Sequence, residues 1–137
     1  MGHNGIDFGM LWSVPNGRKL TVHAPHDGVC YLGDQKNKGY GRYVRITSLP
    51  VNRSGHQRQS DLAHLEGYYI KHNQFVHAGE PIGYIQKGKT NGFSTGTHLH
   101  WTYKPLLNSV PIFENNGYNG AIDVSKDTLI WTTNTLA

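Results

Sequence analysis

The chain has 137 residues, a net charge of +4, a single cysteine, 17 glycines and eight tyrosines, and 16% of its residues are charged. That length suits one domain with a real core, and the glycine-rich, lightly charged composition favours turns and short strands over long helices. One cysteine excludes an internal disulfide framework, and no apolar run reaches the ~18 residues a membrane-spanning helix needs.

The first residues are polar and glycine-rich without an apolar stretch, so no signal peptide is expected here. Gly2-His3-Asn4-Gly5-Ile6-Asp7-Phe8-Gly9 sets a histidine and a carboxylate four residues apart. A helix would put both on one face, but Asn4-Gly5 is turn chemistry. On a straight strand they would sit roughly 13 Å apart, too far for one ion with ligand bonds of about 2 Å. The chain must therefore bend, and Gly5 allows it. His3, Asp7 and a strand histidine can then converge as three protein ligands, with water in the fourth tetrahedral position. The plainer readings are a tag-like terminus for His3 and an ordinary turn carboxylate for Asp7.

Arg18 to Ala24 and Gly28 to Leu32 read as two strands around an Ala-Pro-His-Asp-Gly turn. Cys30, in an apolar run of strand type, reads as a small buried hydrophobe; nothing local marks it as an activated Cys-His nucleophile. Arg42 to Thr47 alternates, with Tyr43, Arg45 and Thr47 opposed to Val44 and Ile46. Leu49 to Ser60 carries Pro50, Asn52, Ser54 and Gly55 and reads as a polar loop, one wall of a cleft. Asp61 to Leu65 is expected to return as a strand carrying His64, and Pro81 to Gln86 as another. Lys87 to Thr97 forms a second, flexible wall.

In Gly92-Phe93-Ser94-Thr95-Gly96-Thr97-His98-Leu99-His100-Trp101, followed by Thr102-Tyr103, two histidines flank one leucine on a strand-type segment. Alternation sets His98, His100 and Thr102 on one face, while Leu99, Trp101 and Tyr103 bury the other. Positions two apart on a strand are roughly 6.6 Å apart, so one imidazole can hold a metal while its neighbour reaches a water on it. Alone, His-x-His is a weak signal, matched as well by two solvent-facing histidines. In residues 105 to 137, Asn115 to Gly120 is a turn-rich loop, and Ile130 and Trp131 are expected to close the chain as a final strand.

Thirteen basic residues face nine acidic ones, and between Asp34 and Asp61 lie Lys36, Lys38, Arg42, Arg45, Arg53 and Arg58 without an acid among them. Such a face raises encounter rates with polyanions, although a solvated surface is the plainer reading. No nucleic-acid recognition motif accompanies it, so nucleic acid is not an expected partner.

Three segments together carry a resemblance. His3-Asn4-Gly5-Ile6-Asp7, Leu62-Ala63-His64-Leu65 and Thr95-Gly96-Thr97-His98-Leu99-His100-Trp101 resemble, in order, the signatures of the lysostaphin-type (LytM-type) zinc endopeptidases, which cut the peptides of peptidoglycan. Ala24 to Val29, Gly39 to Ile46 and Val76 to Tyr84 resemble that family's framework, and the likeness covers roughly residues 2 to 104. It implies an all-β domain, residues 1–137, in which an antiparallel sheet floors a substrate groove walled by loops, with 105–137 as a C-terminal extension on the core.

The resemblance further implies one Zn2+ held by His3, Asp7 and His100 with water as fourth ligand, and His64 and His98 as the proton-handling and oxyanion-binding residues. The substrate would be a peptidoglycan stem or crosslink, with anionic wall polymers as further partners. Action would be extracellular, in the bacterial wall, as a phage lysin or tail enzyme or as part of a secreted protein. Family members commonly carry a tyrosine ahead of the first ligand, and only two residues precede His3 here; either another side chain replaces it, with Tyr40, Tyr84 and Tyr118 as the candidates, or the sequence is a fragment of a longer protein. His23, His26, His56, His72 and His77 match no motif and read as surface or partly buried residues. Two other classes stand beside this reading: a catalytically inactive wall-binding or activating module, and a Cys-dependent wall hydrolase acting through Cys30.

Overall fold

The computed structural model describes residues 6–8, 13–50, 55–92 and 96–111, with the backbone alone described at 6, 7, 110 and 111. The elements are β1 (Ile6–Phe8), β2 (Lys19–His23), β3 (Gly28–Asp34), β4 (Arg42–Thr47), β5 (His56–Ala63), β6 (Gly67–Tyr68), β7 (Phe75–Val76), β8 (Pro81–Gln86), β9 (Leu99–Leu107) and β10 (Val110–Pro111). No helix occurs among the described residues. The strands form a larger sheet ordered β1-β9-β5-β4-β3-β7, with β10 also on β9, and a smaller one ordered β2-β8-β6. Every pairing is antiparallel, as the alternating patterns predict.

Side-chain alternation explains why these segments pair as they do. On β4, Val44 and Ile46 are fully buried; on β9, Leu99, Trp101 and Tyr103 all point into the core. One apolar cluster unites these with Cys30 and Leu62 of the larger sheet and with Val22, Ile82 and Ile85 of the smaller. Burying each such aliphatic side chain stabilises the fold by roughly 1.5–3 kcal/mol relative to leaving it exposed. β9 is the spine of the larger sheet. One of its edges is taken by β5, from Ala63 opposite His100 to His56 opposite Leu107. Its other edge is shared by β1 at one end and β10 at the other.

Three sequence expectations change. The Ala-Pro-His-Asp-Gly turn does not close a two-stranded unit, because β2 belongs to the smaller sheet and β3 to the larger. It is the crossing between layers. The expected loop from Leu49 to Ser60 gives way to strand at His56, where polar Gln57, Arg58 and Gln59 satisfy ladder pairing on a partly exposed surface. That same strand ends at Ala63, so His64 sits just beyond it with φ 64° rather than within it. The terminal expectations at Asn115–Gly120, Ile130 and Trp131 lie outside the described residues.

Candidate metal and catalytic centre

His64 is placed by a turn in which backbone and ring are both tied. Left-handed φ is uncommon outside glycine, though histidine adopts it more readily than most. Here the His64 N–H donates to Tyr40 O at 2.9 Å, and the Leu65 N–H donates to Arg42 O at 2.9 Å. The ring Nδ1 lies 2.9 Å from Asn91 O. A carbonyl can only accept, so Nδ1 carries the proton and proton acceptance falls to Nε2. Asn91 is itself fixed: its Oδ1 accepts from the Arg42 N–H at 2.7 Å and its Nδ2 donates to Leu65 O. The two loops meet with their backbones in contact. A Cβ on Gly92 would lie 2.2 Å from Gly41 N, and both glycines hold positive φ, so neither position tolerates a side chain.

His98 and His100 reach the same place from the start of β9. The His64 and His98 ring centroids are 4.7 Å apart, and those of His64 and His100 are 6.2 Å apart. His98 Nδ1 lies 2.8 Å from Gly96 O, so His98 also bears its proton on Nδ1 when neutral. His100 differs. It is buried, its Nε2 lies 2.9 Å from Thr102 Oγ1, and Thr102 Oγ1 lies 3.0 Å from the Tyr40 hydroxyl. With Nε2 engaged by a hydroxyl, Nδ1 is the nitrogen that can serve as a ligand. Tyr40 also lies 5.6 Å from His100, ring to ring.

Asp7 enters through strand register. It is the direct partner of His100 across β1 and β9. Opposed residues of an antiparallel pair have Cβ atoms about 4.5–5.5 Å apart, which suits a carboxylate and an imidazole gripping one ion through bonds of about 2 Å. His3 lies outside the described residues, and among the described residues no three His, Cys, Asp or Glu side chains cluster to hold a metal. The donor set that is placed, an imidazole whose other nitrogen is held by the Thr102 hydroxyl and whose strand partner is an aspartate, fits zinc chemistry.

Sequence reasoning named His64, His98 and His100, and these three come together; Asp7 joins them by register. Of the tyrosines, Tyr40 stands beside His100, Tyr84 lies on the smaller sheet with its ring tilted against that of Tyr69 at 5.3 Å, and Tyr118 lies outside the described residues. Asn91 and the relay role of Thr102 were missed. The shared face of His98, His100 and Thr102 was a signal for the second. Nothing local signals the first, because its partner is 27 residues away.

Other candidate chemistry is muted by burial. Cys30 is fully buried and its thiol is pushed up to about 12, chiefly by desolvation, which rules it out as a ready nucleophile. His26, expected at the surface or partly buried, is instead buried, at 3% exposed. Its Nε2 accepts from the Ser60 hydroxyl at 2.8 Å, while Trp101 Nε1 donates to the same oxygen at 3.0 Å. Burial pushes the His26 imidazole down to about 4, so it is neutral at physiological pH, and Ser60 is part of a closed polar network rather than a nucleophile. A cavity of about 300 Å³ beside it is lined by Ser48, Leu49, Arg58 and Phe75. It lies at the far end of β5 from His64, roughly 20 Å along the strand. The basic run is also broken up: Arg42 pairs with Glu66 at 3.2 Å and Arg45 with Asp61 at 2.7 Å.

The model of peptidase family M23 matches residues 1–112. The chain belongs to peptidase family M23. Among M23 relatives, an uncharacterized metalloprotease of Haemophilus influenzae is 35% identical over 101 residues, covering 74% of this chain and 18% of that protein. Lysostaphin of Staphylococcus simulans is 29% identical over 144 residues, covering 96% of this chain and 26% of that protein. The M23 chain thus spans 18% and 26% of the lengths of these curated relatives. The crystallised catalytic domain of the antimicrobial peptidase lysostaphin superposes with a TM-score of 0.61 and 27% identity, covering 90% of this chain and 76% of that one. A zinc-containing peptidase from Vibrio cholerae superposes with a TM-score of 0.54 and 27% identity, covering 80% of this chain and 28% of that one.

Proposed function

We propose that this M23 chain is a zinc-dependent endopeptidase that hydrolyses peptide bonds in the stem or crosslink peptides of bacterial peptidoglycan, with residues 1–137 forming one peptidase domain. The observation that carries the reading is the meeting of His64 and His98 beside His100, whose strand partner is Asp7. A surface pair of histidines would have no such company. His3, Asp7 and His100 would hold one ion, with water as the fourth ligand. Bound zinc supplies a water of lowered pKa and polarises the scissile carbonyl.

The chain's own groups do the rest. One of His64 and His98 takes the proton from the attacking water at Nε2 and delivers it to the leaving amine. The other, protonated at Nε2, donates to the oxygen of the tetrahedral intermediate. Because both hold Nδ1 protons against backbone carbonyls, the pair works with one further proton between them. Tyr40 and Thr102 orient His100. As a wall enzyme the protein would act outside the membrane, delivered by a phage particle or by secretion, and its residual basic surface would favour anionic wall polymers. Cys30 offers no competing route.

Digestion of purified peptidoglycan, with and without chelator, tests this directly. Mass analysis of the fragments should show peptide cleavage that chelator abolishes and zinc restores. Cleavage that survives chelation and stops on thiol alkylation would overturn it.

A further inference from the structure

Strand register draws a line of four residues across the larger sheet: Tyr31 opposite Arg45, Arg45 opposite Asp61, and Asp61 opposite Thr102. Thr102 is the residue that holds His100, so this line starts at the candidate centre and runs outward along the face it occupies. The neighbouring line, Gly33, Tyr43, Ala63 and His100, lies on the same face.

Arg45 is unusual in this setting. Its Nε and Nη2 donate to the two carboxylate oxygens of Asp61 at 2.7 and 3.0 Å, and Asp61 is 2% exposed. A buried carboxylate needs that partner, which fixes the guanidinium in place. Tyr43 lies below it, with the Arg45 Cζ 5.9 Å from the ring centroid, and Gly33 leaves room for that ring. Tyr31, 48% exposed, stands 6.2 Å from Tyr43. A guanidinium has five N–H donors. Two are spent on Asp61, no other acceptor engages Arg45 among the described residues, and its side chain is 36% exposed. A cation held rigid, flanked by aromatic rings and with donors unspent is prepared for a planar anion without further ordering cost.

Strands are about 4.8 Å apart, so β4 lies roughly 10 Å from β9, about three residues of an extended peptide crossing the sheet. We propose that Arg45 is a carboxylate-binding subsite, which selects substrate peptides bearing a free carboxylate about three residues from the cleaved bond over their amidated counterparts. This rests on the peptidase reading above.

The test uses the zinc-loaded chain and synthetic wall peptides in two matched pairs, one differing as acid or amide at an internal side chain, the other at the C-terminus. Affinity is read by fluorescence anisotropy and cleavage by mass analysis in parallel. One pair should show about tenfold tighter binding of the acid, a value discounted for partial exposure, and that pair identifies the kind of carboxylate recognised. In turnover the preference should appear in KM with kcat unchanged. Arg45→Gln should erase it, while Arg58→Gln, which removes the same charge on the opposite face of the sheet, should keep it. Equal affinity for acid and amide in both pairs of the wild-type protein overturns the proposal, with no variant needed; so does a folded Arg45→Gln protein that keeps the preference. Peptides that bind with the Arg45-dependent preference but are never cut would uphold the subsite and count against the peptidase reading alone.

Discussion

Thr102 offers the sharpest perturbation of the candidate centre, because replacing it with valine removes one hydroxyl and almost no volume. The side chain is 1% exposed, and its Oγ1 lies between His100 Nε2 at 2.9 Å and the Tyr40 hydroxyl at 3.0 Å. For His100 to bind a metal through Nδ1, Nε2 must carry the proton, and Thr102 is the acceptor that holds it there. Losing an outer-shell partner of this kind typically costs about 10–100-fold in metal affinity. The loss of a buried hydrogen bond should also lower stability by about 1 kcal/mol. Competition with a chromophoric chelator measures the first, and urea unfolding of the metal-free protein measures the second. Tyr40→Phe keeps the Thr102 to His100 contact and should weaken zinc binding less than Thr102→Val does. A Thr102→Val protein that binds zinc as the wild type does would refute the assignment of Nδ1 as the ligand atom, and so would a Tyr40→Phe protein that binds more weakly still.

Three further outcomes are expected. His64→Ala and His98→Ala should each keep their zinc while losing most peptidoglycan hydrolysis, about 100-fold or more for a proton-transfer group; metal analysis beside turbidity loss of wall suspensions decides it. The His26 imidazole is pushed down from 6.5 to about 4, so the unfolded chain protonates first as pH falls. The corresponding stability is intact above pH 6.5 and falls by about 3 kcal/mol as pH drops to 4. Urea midpoints at pH 7 and pH 4 should therefore separate more for the wild type than for His26→Gln, and equal separations would contradict the burial argument. Cys30 should resist iodoacetamide in the native protein and react in denaturant, since it is fully buried with its thiol at about 12; rapid native labelling would count against it.

What the sequence disclosed was whatever depends on alternation along one strand. Leu99, Trp101 and Tyr103 had to face inward if His98, His100 and Thr102 faced the site, and Val44 and Ile46 had to oppose Arg45 for the same reason. Long-range geometry was hidden. The polar residues Gln57, Arg58 and Gln59 read as loop because strand propensity is a weak guide where one face is wet, and it is pairing with β9 that makes them strand. The turn after Ala24 looked as though it joined neighbouring strands, but which sheet a strand joins is decided by β8, some 60 residues on. His64 was legible by motif, yet its left-handed backbone and its clamp by Asn91 exist only because the Gly41 and Gly92 loops touch. Arg45 read as one of six cations; register with Asp61 and Thr102 gave it a place.

The peptidase reading of this chain turns on whether residue 7 of the first strand and residue 100 of the ninth share an ion. Zinc content of the purified protein, measured by mass spectrometry beside Asp7→Ala and His100→Ala, asks that question most directly. About one zinc per wild-type chain, lost from both variants while their far-ultraviolet spectra stay unchanged, is the predicted result. A wild-type protein that takes up no zinc, or folded variants that retain it in full, would contradict the account.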